Sequence, residues 1–483
     1  MCGAELELEK MMLQSMKRHS VGWIAAIFCL VAFFCSDNAL ALDAAKRWNL
    51  LIITADDMNA DSSGWIGCTL GATPSLDTFS KTAHRFVNSH VTVPICQPGR
   101  SALMTGRVPH RNGALGFNPI RRDFTTLVEL LREQGYYTGV IAKAVHMAPP
   151  EKFPWHRIGE QSLGKQPTKF ADSFRQMLSE ATEKDLPFFI NANICDPHRP
   201  FISGGGMKTK TNEMLDGVRI YQPNEVKVPA FLEDLPSVRE EVAQYYSNVS
   251  RFDVTFGLLM TELQSANRLD DTVVVFLSDH GMSFPFSKAT VYQNGTWSPV
   301  LIRVPGMEAK THDAFVSSVD IMPSLLELLK INPPAGMDGR SWVDLLHGKT
   351  QPNRDFVVTH VNTVSSGKSF AQRCIRTKTH ALMYHAWVGG QDKFRVEAMS
   401  GLSFAAMNDS TDPKIQARVR QLVEGESLMF FDLTKDPTER QNMVRDPAYA
   451  NDIKMLSEKL LDHMQKTEDP LLRNFETVMS HSR

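Results

Sequence analysis

The chain has 483 residues, of which 42% are hydrophobic and 22% are charged, and its formal net charge is -2. This composition excludes an intrinsically disordered protein and is typical of one large domain followed by a smaller one. Because no basic segment interleaved with aromatic residues is present, a nucleic-acid partner is not expected, and any anionic ligand must be bound by a few well-placed cations.

The first predicted element is an export signal at residues 1–41. Lys17 and Arg18 precede an apolar stretch over residues 21–34, and a small-residue cleavage site ends at Ala41. The alternative is a membrane anchor, but the apolar stretch is shorter than the ~20 residues of a spanning helix. We therefore expect cleavage after Ala41, an exported protein (secreted, periplasmic or lysosomal), and no stable membrane span after cleavage.

Beyond the signal, short apolar runs alternate with helical patterns. The runs predicted as buried strands are residues 48–54, 137–141, 187–192, 271–277 and 300–304. Helical spacing of apolar residues occurs at 124–134 and 238–264. This alternation predicts an α/β fold with a large, mostly parallel sheet sandwiched by helices, whose ligands bind at the carboxyl ends of the strands.

The alternation weakens after residue 348, where we place a domain boundary. Residues 42–348 form the predicted N-terminal catalytic domain, and residues 349–483 form a smaller α+β C-terminal domain. The smaller domain contains a predicted strand at 428–433 and a last helix at 453–464.

One cysteine lies in a segment of unusual composition. Cys96 begins the pattern C-x-P-x-R, which ends at Arg100 and continues through Thr105-Gly106-Arg107. Four cysteines remain after signal cleavage: Cys68, Cys96, Cys195 and Cys374. They have no zinc-binding spacing, and if Cys96 is consumed chemically, at most one disulfide can form within the chain. The alternative is that Cys96 is an ordinary free or disulfide-bonded thiol.

Two polar pairs follow predicted strands. Asp56-Asp57 follows the first strand, and Asp279-His280 follows the strand at 271–277. A single aspartate in such a place more often caps the next helix. Two pairs together favour a hard-cation site, because oxygen ligands favour Ca²⁺ or Mg²⁺ over softer metals.

Together these residues resemble the formylglycine-dependent sulfatases of the alkaline phosphatase superfamily, and the likeness extends over residues 49–470. In that family the cysteine of C-x-P-x-R is converted to formylglycine. Within the family the likeness is greatest to N-sulfoglucosamine sulfohydrolase (sulfamidase), through residues 196–199, 278–292, 431–439 and 467–470. Two details are instead similar to iduronate-2-sulfatase: His280, and the three-residue offset between Lys143 and His146.

The resemblance implies an alkaline phosphatase-like fold and a role for each matching residue. The implied ligands of a Ca²⁺ ion, or alternatively Mg²⁺, are Asp56, Asp57, the modified Cys96, Asp279 and His280. Arg100 would hold the formylglycine hydroxyls, and His146 would hold the formylglycine hydrate. The residues implied to contact the sulfate are Lys143, His198 and Lys288. His198 would also act as the general acid for the leaving group, since imidazole titrates near neutrality.

The implied reaction is removal of sulfate from a sulfated carbohydrate, as the N-sulfate of glucosamine or as an O-sulfate ester. The implied partners are the sulfated glycan and, during maturation, the formylglycine-generating enzyme. One alternative is a phosphonate or phosphate monoester hydrolase of the same superfamily. Another is a non-catalytic glycan-binding protein on the same scaffold. We further expect the Phe284-Pro285-Phe286 loop before Lys288 to shape the sugar pocket.

Overall fold

The computed structural model describes residues 47–202 and 216–481. The predicted signal peptide at 1–41 lies outside the described residues. The described residues from Trp48 onward make up one compact unit. Within the described residues, no helix has both the length and the apolar composition needed to cross a membrane.

The strands of the described residues are β1 (Asn49–Asp56), β2 (His84–Phe86), β3 (Ser89–His90), β4 (Tyr137–Ile141), β5 (Arg157–Gly159), β6 (Phe188–Pro197), β7 (Thr272–Ser278), β8 (Val300–Arg303), β9 (Thr311–His312), β10 (Val316–Ser317), β11 (Phe356–Thr363), β12 (Ser369–Thr377), β13 (His380–His385) and β14 (Leu428–Asp432).

The α-helices of the same part of the chain are α1 (Pro74–Ser80), α2 (Cys96–Thr105), α3 (Pro109–Asn112), α4 (Leu127–Glu133), α5 (Pro167–Glu183), α6 (Pro236–Ser265), α7 (Gln293–Thr296), α8 (Ile321–Leu328), α9 (Val343–Leu346), α10 (Leu402–Asn408), α11 (Pro413–Val423), α12 (Ala450–Lys466) and α13 (Leu472–His481).

The main sheet has eight strands in the order β5-β4-β6-β1-β7-β8-β2-β9. The pairs from β5 to β7 are all parallel, as predicted, whereas β8 runs antiparallel to both β7 and β2. The predicted α/β class with a mostly parallel sheet is therefore confirmed. Each strand predicted from an apolar run is present, with ends that shift by up to five residues.

Strand β1 shows why the sheet is buried on both faces. Leu51 and Ile53 pack into one hydrophobic cluster, and Leu50 and Ile52 pack into a second cluster on the other face. Successive side chains of a strand point to opposite faces, so an uninterrupted apolar run suits a strand that is covered on both sides.

The predicted helices have clear local causes. Helix α4 begins at Leu127, three residues later than expected from the apolar spacing, because Thr126 and Glu129 form a capping box. Helix α6 begins with Pro236, which has no amide hydrogen to leave unpaired in the first turn.

The last part of the chain contributes an antiparallel sheet of order β11-β12-β13-β14. One of its faces joins the hydrophobic cluster of the main sheet through residues such as Cys374, Met383 and Phe431. The other face is covered by α12 and α13, which contribute Leu456 and Phe475 among others. The α+β character of this part is confirmed, while the boundary at residue 348 stays a prediction.

The Thr467-Glu468-Asp469-Pro470 segment has a structural role in this sheet. Asp469 accepts hydrogen bonds from Nε and Nη2 of Arg373 at 2.5 and 2.9 Å, and both side chains are completely buried. Removing one partner of such a buried ion pair strongly destabilises the fold, because the other charge would be left uncompensated.

Candidate active site

The two polar pairs predicted at strand ends lie side by side. Ala55 of β1 pairs with Ser278 of β7, and the Asp279 amide donates to the Ala55 carbonyl at 3.0 Å. The Asp57 amide in turn donates to Oδ1 of Asp279 at 3.2 Å. Adjacent parallel strands thus bring residues from two distant parts of the sequence to one edge of the sheet.

Cys96 is the first residue of helix α2 and faces this edge. Its side chain is buried, with Sγ 3.2 Å from Nε2 of His280 and 3.8 Å from Oδ1 of Asp56. Burial raises the pKa of the Cys96 thiol well above its usual value, and Asp56 and Asp279 raise it further against the opposing effect of Lys288. An unmodified thiol here is therefore not an activated nucleophile, because the thiolate is the reactive form.

The donor atoms beside Cys96 suit a hard divalent cation. Four buried residues offer ligand atoms that all lie within 4.8 Å of one another: Asp56, Asp57, Cys96 and His280. His280 donates through Nδ1 to the Gly281 carbonyl at 3.0 Å, which leaves Nε2 with its lone pair toward Cys96. In the hydrate of formylglycine, hydroxyl oxygens would stand where Sγ now lies, so the donor set would become rich in oxygen and fit Ca²⁺ or Mg²⁺.

Asp279 lies at the margin of this group. Its Oδ1 is 3.7 Å from Nε2 of His280, and its Oδ2 accepts a hydrogen bond from Nη2 of Arg100 at 2.8 Å. Burial raises the pKa of the Asp279 carboxyl, and His280 and Arg100 oppose that rise. One oxygen of Asp279 thus points toward the metal group while the other binds Arg100.

Two lysines face the paired aspartates. Lys143 forms an ion pair with Asp56, and Nζ of Lys288 lies 2.9 and 3.0 Å from the two carboxylate oxygens of Asp57. Burial acts to raise the pKa of both carboxyls, but Lys143 holds that of Asp56 and Lys288 holds that of Asp57 below the ordinary value. Both aspartates are therefore ionised and able to bind a cation.

Besides Asp279, Arg100 is held by two residues that the sequence did not mark as part of the site. Its Nη1 donates to Oγ1 of Thr54 at 3.0 Å and to Oδ1 of Asn193 at 2.5 Å. Thr54 and Asn193 are buried polar residues at the ends of apolar runs in β1 and β6, and this departure from the apolar pattern was the signal that could have identified them. The guanidinium is thereby held in one orientation next to Asp279.

The two predicted histidines are both partly buried. Nε2 of His198 is 3.9 Å from Oδ2 of Asp57, and the side chain is 24% exposed. Nδ1 of His146 is shielded from solvent, and the backbone amide of His146 donates to the Lys143 carbonyl. Burial lowers the pKa of His146 to about 3, with Lys143 and Arg100 adding to the effect, so its imidazole is neutral at physiological pH. The structure thus brings all ten predicted site residues into one region, and their individual roles stay predictions.

The expectation for the Phe284-Pro285-Phe286 loop is wrong. Both phenylalanines are buried in the hydrophobic core. Phe284 packs edge-on against Tyr245, while Phe286 packs against Tyr292 and lies beneath the guanidinium of Arg418, 3.7 Å from the ring centroid. The two phenylalanines therefore anchor the loop before Lys288 in the core and present no aromatic surface to a sugar.

One further residue at the site was missed. Glu397, in the last third of the chain, has Oε2 3.0 Å from Nζ of Lys288 and Oε1 3.6 Å from Nε2 of His198. It belongs to no motif and follows no predicted strand, so nothing local in the sequence marks it.

The site also concentrates unusual backbone geometry. Asp57, Lys143 and Phe286 have φ angles of 69°, 53° and 62°, in the left-handed region that such residues rarely adopt. Gly281 is required for a different reason, because a Cβ there would lie 1.7 Å from the Asn294 carbonyl oxygen. Backbone strain held by the surrounding structure is typical of functional sites.

Comparisons with known proteins agree with this geometry. The family model described as Sulfatase matches residues 48–331, and the model described as N-sulphoglucosamine sulphohydrolase, C-terminal, matches residues 279–393. The chain is 26% identical to human N-sulphoglucosamine sulphohydrolase over 481 residues, which cover 89% of this chain and 92% of that protein.

Two solved structures share the fold. A protein in complex with its substrate D-glucosamine-2-N,6-O-disulfate superposes with a TM-score of 0.66 at 18% identity, covering 88% of this chain and 99% of that one. The phosphonate monoester hydrolase of Agrobacterium radiobacter gives the same TM-score and identity, covering 87% of this chain and 96% of that one. The fold alone therefore does not separate the two activities. The family model spans more than half of the chain and includes every predicted site residue, so the chain belongs to the sulfatase family of hydrolases.

Proposed function

We propose that the protein hydrolyses sulfate from a sulfated carbohydrate, using formylglycine made from Cys96 and a bound divalent cation. The favoured cation is Ca²⁺, with Mg²⁺ as the alternative. The observation that carries this proposal is the convergence of Asp56, Asp57 and His280 on Cys96 at the first residue of α2. The positive end of a helix favours an anion at this position.

The side chains around Cys96 suit the transfer of a sulfate group. When bound, the metal and the formylglycine hydrate supply charge neutralisation and a nucleophilic hydroxyl. Lys143 and Lys288 present fixed ammonium groups on two sides of the same position, where negative charge builds up on the transferred group. Because both are held by carboxylates before substrate arrives, little reorganisation is needed when it binds.

We infer that His198 delivers a proton to the departing sugar. Its Nδ1 lies 2.5 Å from the Arg199 carbonyl oxygen, which can only accept, so Nδ1 carries a hydrogen. In the imidazolium form the second proton lies on Nε2, which faces the site, and this proton is the one available for transfer. The side chain is 24% exposed, which supports a position next to the departing sugar.

Maturation has to precede folding. Only 3% of Cys96 is exposed, so a converting enzyme could not reach it in the folded protein. We expect the formylglycine-generating enzyme to act on the unfolded chain during export, which is consistent with the proposed signal peptide at residues 1–41 and an extracytoplasmic location.

Within the sulfated carbohydrates we favour the N-sulfate of glucosamine. This rests on the C-terminal family model over residues 279–393 and on the similarity to human N-sulphoglucosamine sulphohydrolase, which covers nearly the whole chain. His280 and the Lys143–His146 spacing favour an O-sulfate ester instead.

A side-by-side assay tests the proposal. Purified enzyme with confirmed formylglycine is given glucosamine N-sulfate, 2-O- and 6-O-sulfated sugars, a phosphate monoester and a phosphonate monoester. We expect sulfate release to exceed phosphate and phosphonate hydrolysis, with glucosamine N-sulfate preferred. Turnover of O-sulfates alone would overturn the N-sulfate assignment, and a preference for the phosphorus esters would overturn the sulfate assignment.

A further inference from the structure

Glu397 places a negative charge at the mouth of a site built for an anion. Its carboxylate contacts Lys288 and approaches His198, and 38% of the side chain is exposed to solvent. The inner residues of the site are almost completely buried, so Glu397 lies on the outer side of the two groups that are proposed to contact the sulfate and the leaving group.

The segment that carries Glu397 is held in place by buried contacts. Glu241 of α6 accepts hydrogen bonds from the amides of Leu402 and Ser403 at 3.1 and 2.7 Å, at the start of α10. Arg199, the neighbour of His198, donates to Glu241 at 2.5 Å and to the Ser283 carbonyl at 2.8 Å. The position of Glu397 is thus tied to the same elements that carry His198 and Lys288.

Gly401 makes this attachment possible. A Cβ at residue 401 would lie 2.1 Å from Oε1 of Glu241 and 2.3 Å from Nη2 of Arg199. A side chain there would force the ends of Glu241 and Arg199 to shift. A group held this firmly contributes to selectivity, because it does not need to be ordered when a substrate binds.

The sign of the charge determines what Glu397 can recognise. A carboxylate beside the scissile sulfate repels any second anion nearby and attracts a hydrogen-bond donor or an ammonium group. Lys288 balances part of that charge through Oε2, and Oε1 lies 3.6 Å from Nε2 of His198, the group proposed to reach the leaving sugar. Discrimination by an unfavourable like charge is a common route to specificity.

We propose that Glu397 selects among the sulfated sugars that bind at the site. Sugars with a neutral or positively charged group beside the scissile sulfate are accepted, and sugars with a second anionic group there are rejected. This inference rests on the proposed sulfatase function and names the substrate class within it: singly sulfated amino or hydroxyl sugars are preferred to sugars sulfated or carboxylated at the adjacent position.

A charge series tests the inference. The substrates are phenyl sulfate and its ortho-carboxy and ortho-aminomethyl derivatives, together with glucosamine N-sulfate and its 3-O-sulfated form. The enzymes are the wild type, Glu397→Gln, Glu397→Asp and the surface control Glu424→Gln, whose carboxylate pairs with Lys393 away from the site. The readout is the ratio of kcat/KM between substrates, because an effect common to all of them cancels in the ratio.

We expect the wild type to prefer the uncharged or cationic member of each set by at least tenfold over the anionic member. Glu397→Gln should reduce that preference by about tenfold, Glu397→Asp should retain most of it, and Glu424→Gln should leave it unchanged. A wild type that handles all members equally, or a Glu397→Gln enzyme that lowers all of them by one common factor, would overturn the inference and leave Glu397 only as a support for Lys288. If the wild type hydrolyses no sulfate at all, the proposed function fails and the inference falls with it.

Discussion

Sγ of Cys96 lies 3.2 Å from Nε2 of His280, although 184 positions separate the two residues in the sequence. Helix α2 supplies the first and the end of β7 supplies the second, so the contact depends on the whole main sheet being assembled. Asp56 and Asp57 arrive at the same point from the neighbouring strand β1. This convergence motivates the first prediction.

Removing the metal, or one of its carboxylates, should abolish turnover. We expect chelation to stop sulfate release and added Ca²⁺ or Mg²⁺ to restore it. Asp57→Asn should lose activity by orders of magnitude, since charge stabilisation by a metal contributes roughly several kcal/mol to the transition state. Bound metal is measured by elemental analysis, with Asp270→Asn as a control because the Asp270 side chain is 94% exposed. An Asp57→Asn enzyme that retains both its metal and its rate would exclude Asp57 as a ligand.

Lys288→Ala should impair every sulfated substrate to a similar extent. The variant removes a buried ammonium that faces the reacting group, and loss of one such group costs roughly 10²–10³-fold in kcat. The surface variant Lys349→Ala, whose lysine pairs with Asp344, is the matched control. Initial rates on one N-sulfate and one O-sulfate check the prediction, and a loss confined to one of the two would contradict it.

Phe284→Ala should change stability and leave sugar preference unchanged. The phenylalanine is buried against Tyr245, and truncation of such a side chain costs about 3–5 kcal/mol. Urea unfolding measures the loss, and the ratio of kcat/KM between two sulfated sugars measures preference. Normal stability combined with an altered ratio would restore the loop to the sugar pocket.

The failed expectation for this loop shows a limit of reading the sequence. Phe284 and Phe286 lie four and two residues before Lys288, and proximity in sequence suggested a shared pocket. Which way a loop side chain points depends on what packs against it. Here Tyr245 from α6 and Arg418 from α11 decide the direction, and neither can be inferred from the loop itself.

The residues at the strand ends could be predicted from the sequence for a physical reason. In a parallel sheet the apolar runs identify the buried strands, and the polar residues that follow must lie at one edge, so Asp56 and Asp279 could be placed together without coordinates. Glu397 could not, because it reaches the site from a loop between β13 and α10 and its position depends on the contacts of Glu241 and Arg199. The antiparallel direction of β8 could not be predicted from the sequence either, since its short apolar run is compatible with both directions.

Acid should destabilise the protein through buried histidines, of which His385 is the clearest. Burial lowers the pKa of His385 to about 3, and within the described residues neither ring nitrogen has a hydrogen-bond partner. The unfolded chain binds a proton on this residue below about pH 6.5, whereas the folded protein does not until far lower pH. The contribution of His385 to the free energy of unfolding is therefore fully present above about pH 6.5 and is lost progressively as the pH falls toward 3. At pH 5 the loss is about 2 kcal/mol.

His385→Phe should remove this dependence, because a phenyl ring can stack on Trp387 without titrating. The difference in unfolding free energy between pH 7.5 and pH 5 should then be about 2 kcal/mol smaller than in the wild type. The exposed residue His347 provides the matched control, His347→Phe, which should keep the wild-type dependence. An unchanged pH dependence in His385→Phe would show that other groups govern acid stability.

The most direct test of the proposed chemistry is the state of Cys96 in active enzyme. Mass spectrometry of the peptide that contains Cys96, with trapping by an aldehyde-reactive probe, should show a species lighter than the thiol form, and sulfate release per molecule should rise in proportion to its fraction. Cys96→Ser, which cannot be converted to formylglycine by an enzyme acting on cysteine, should bind metal but release almost no sulfate. Full turnover by protein that carries only the unmodified thiol at Cys96 would contradict the proposed mechanism.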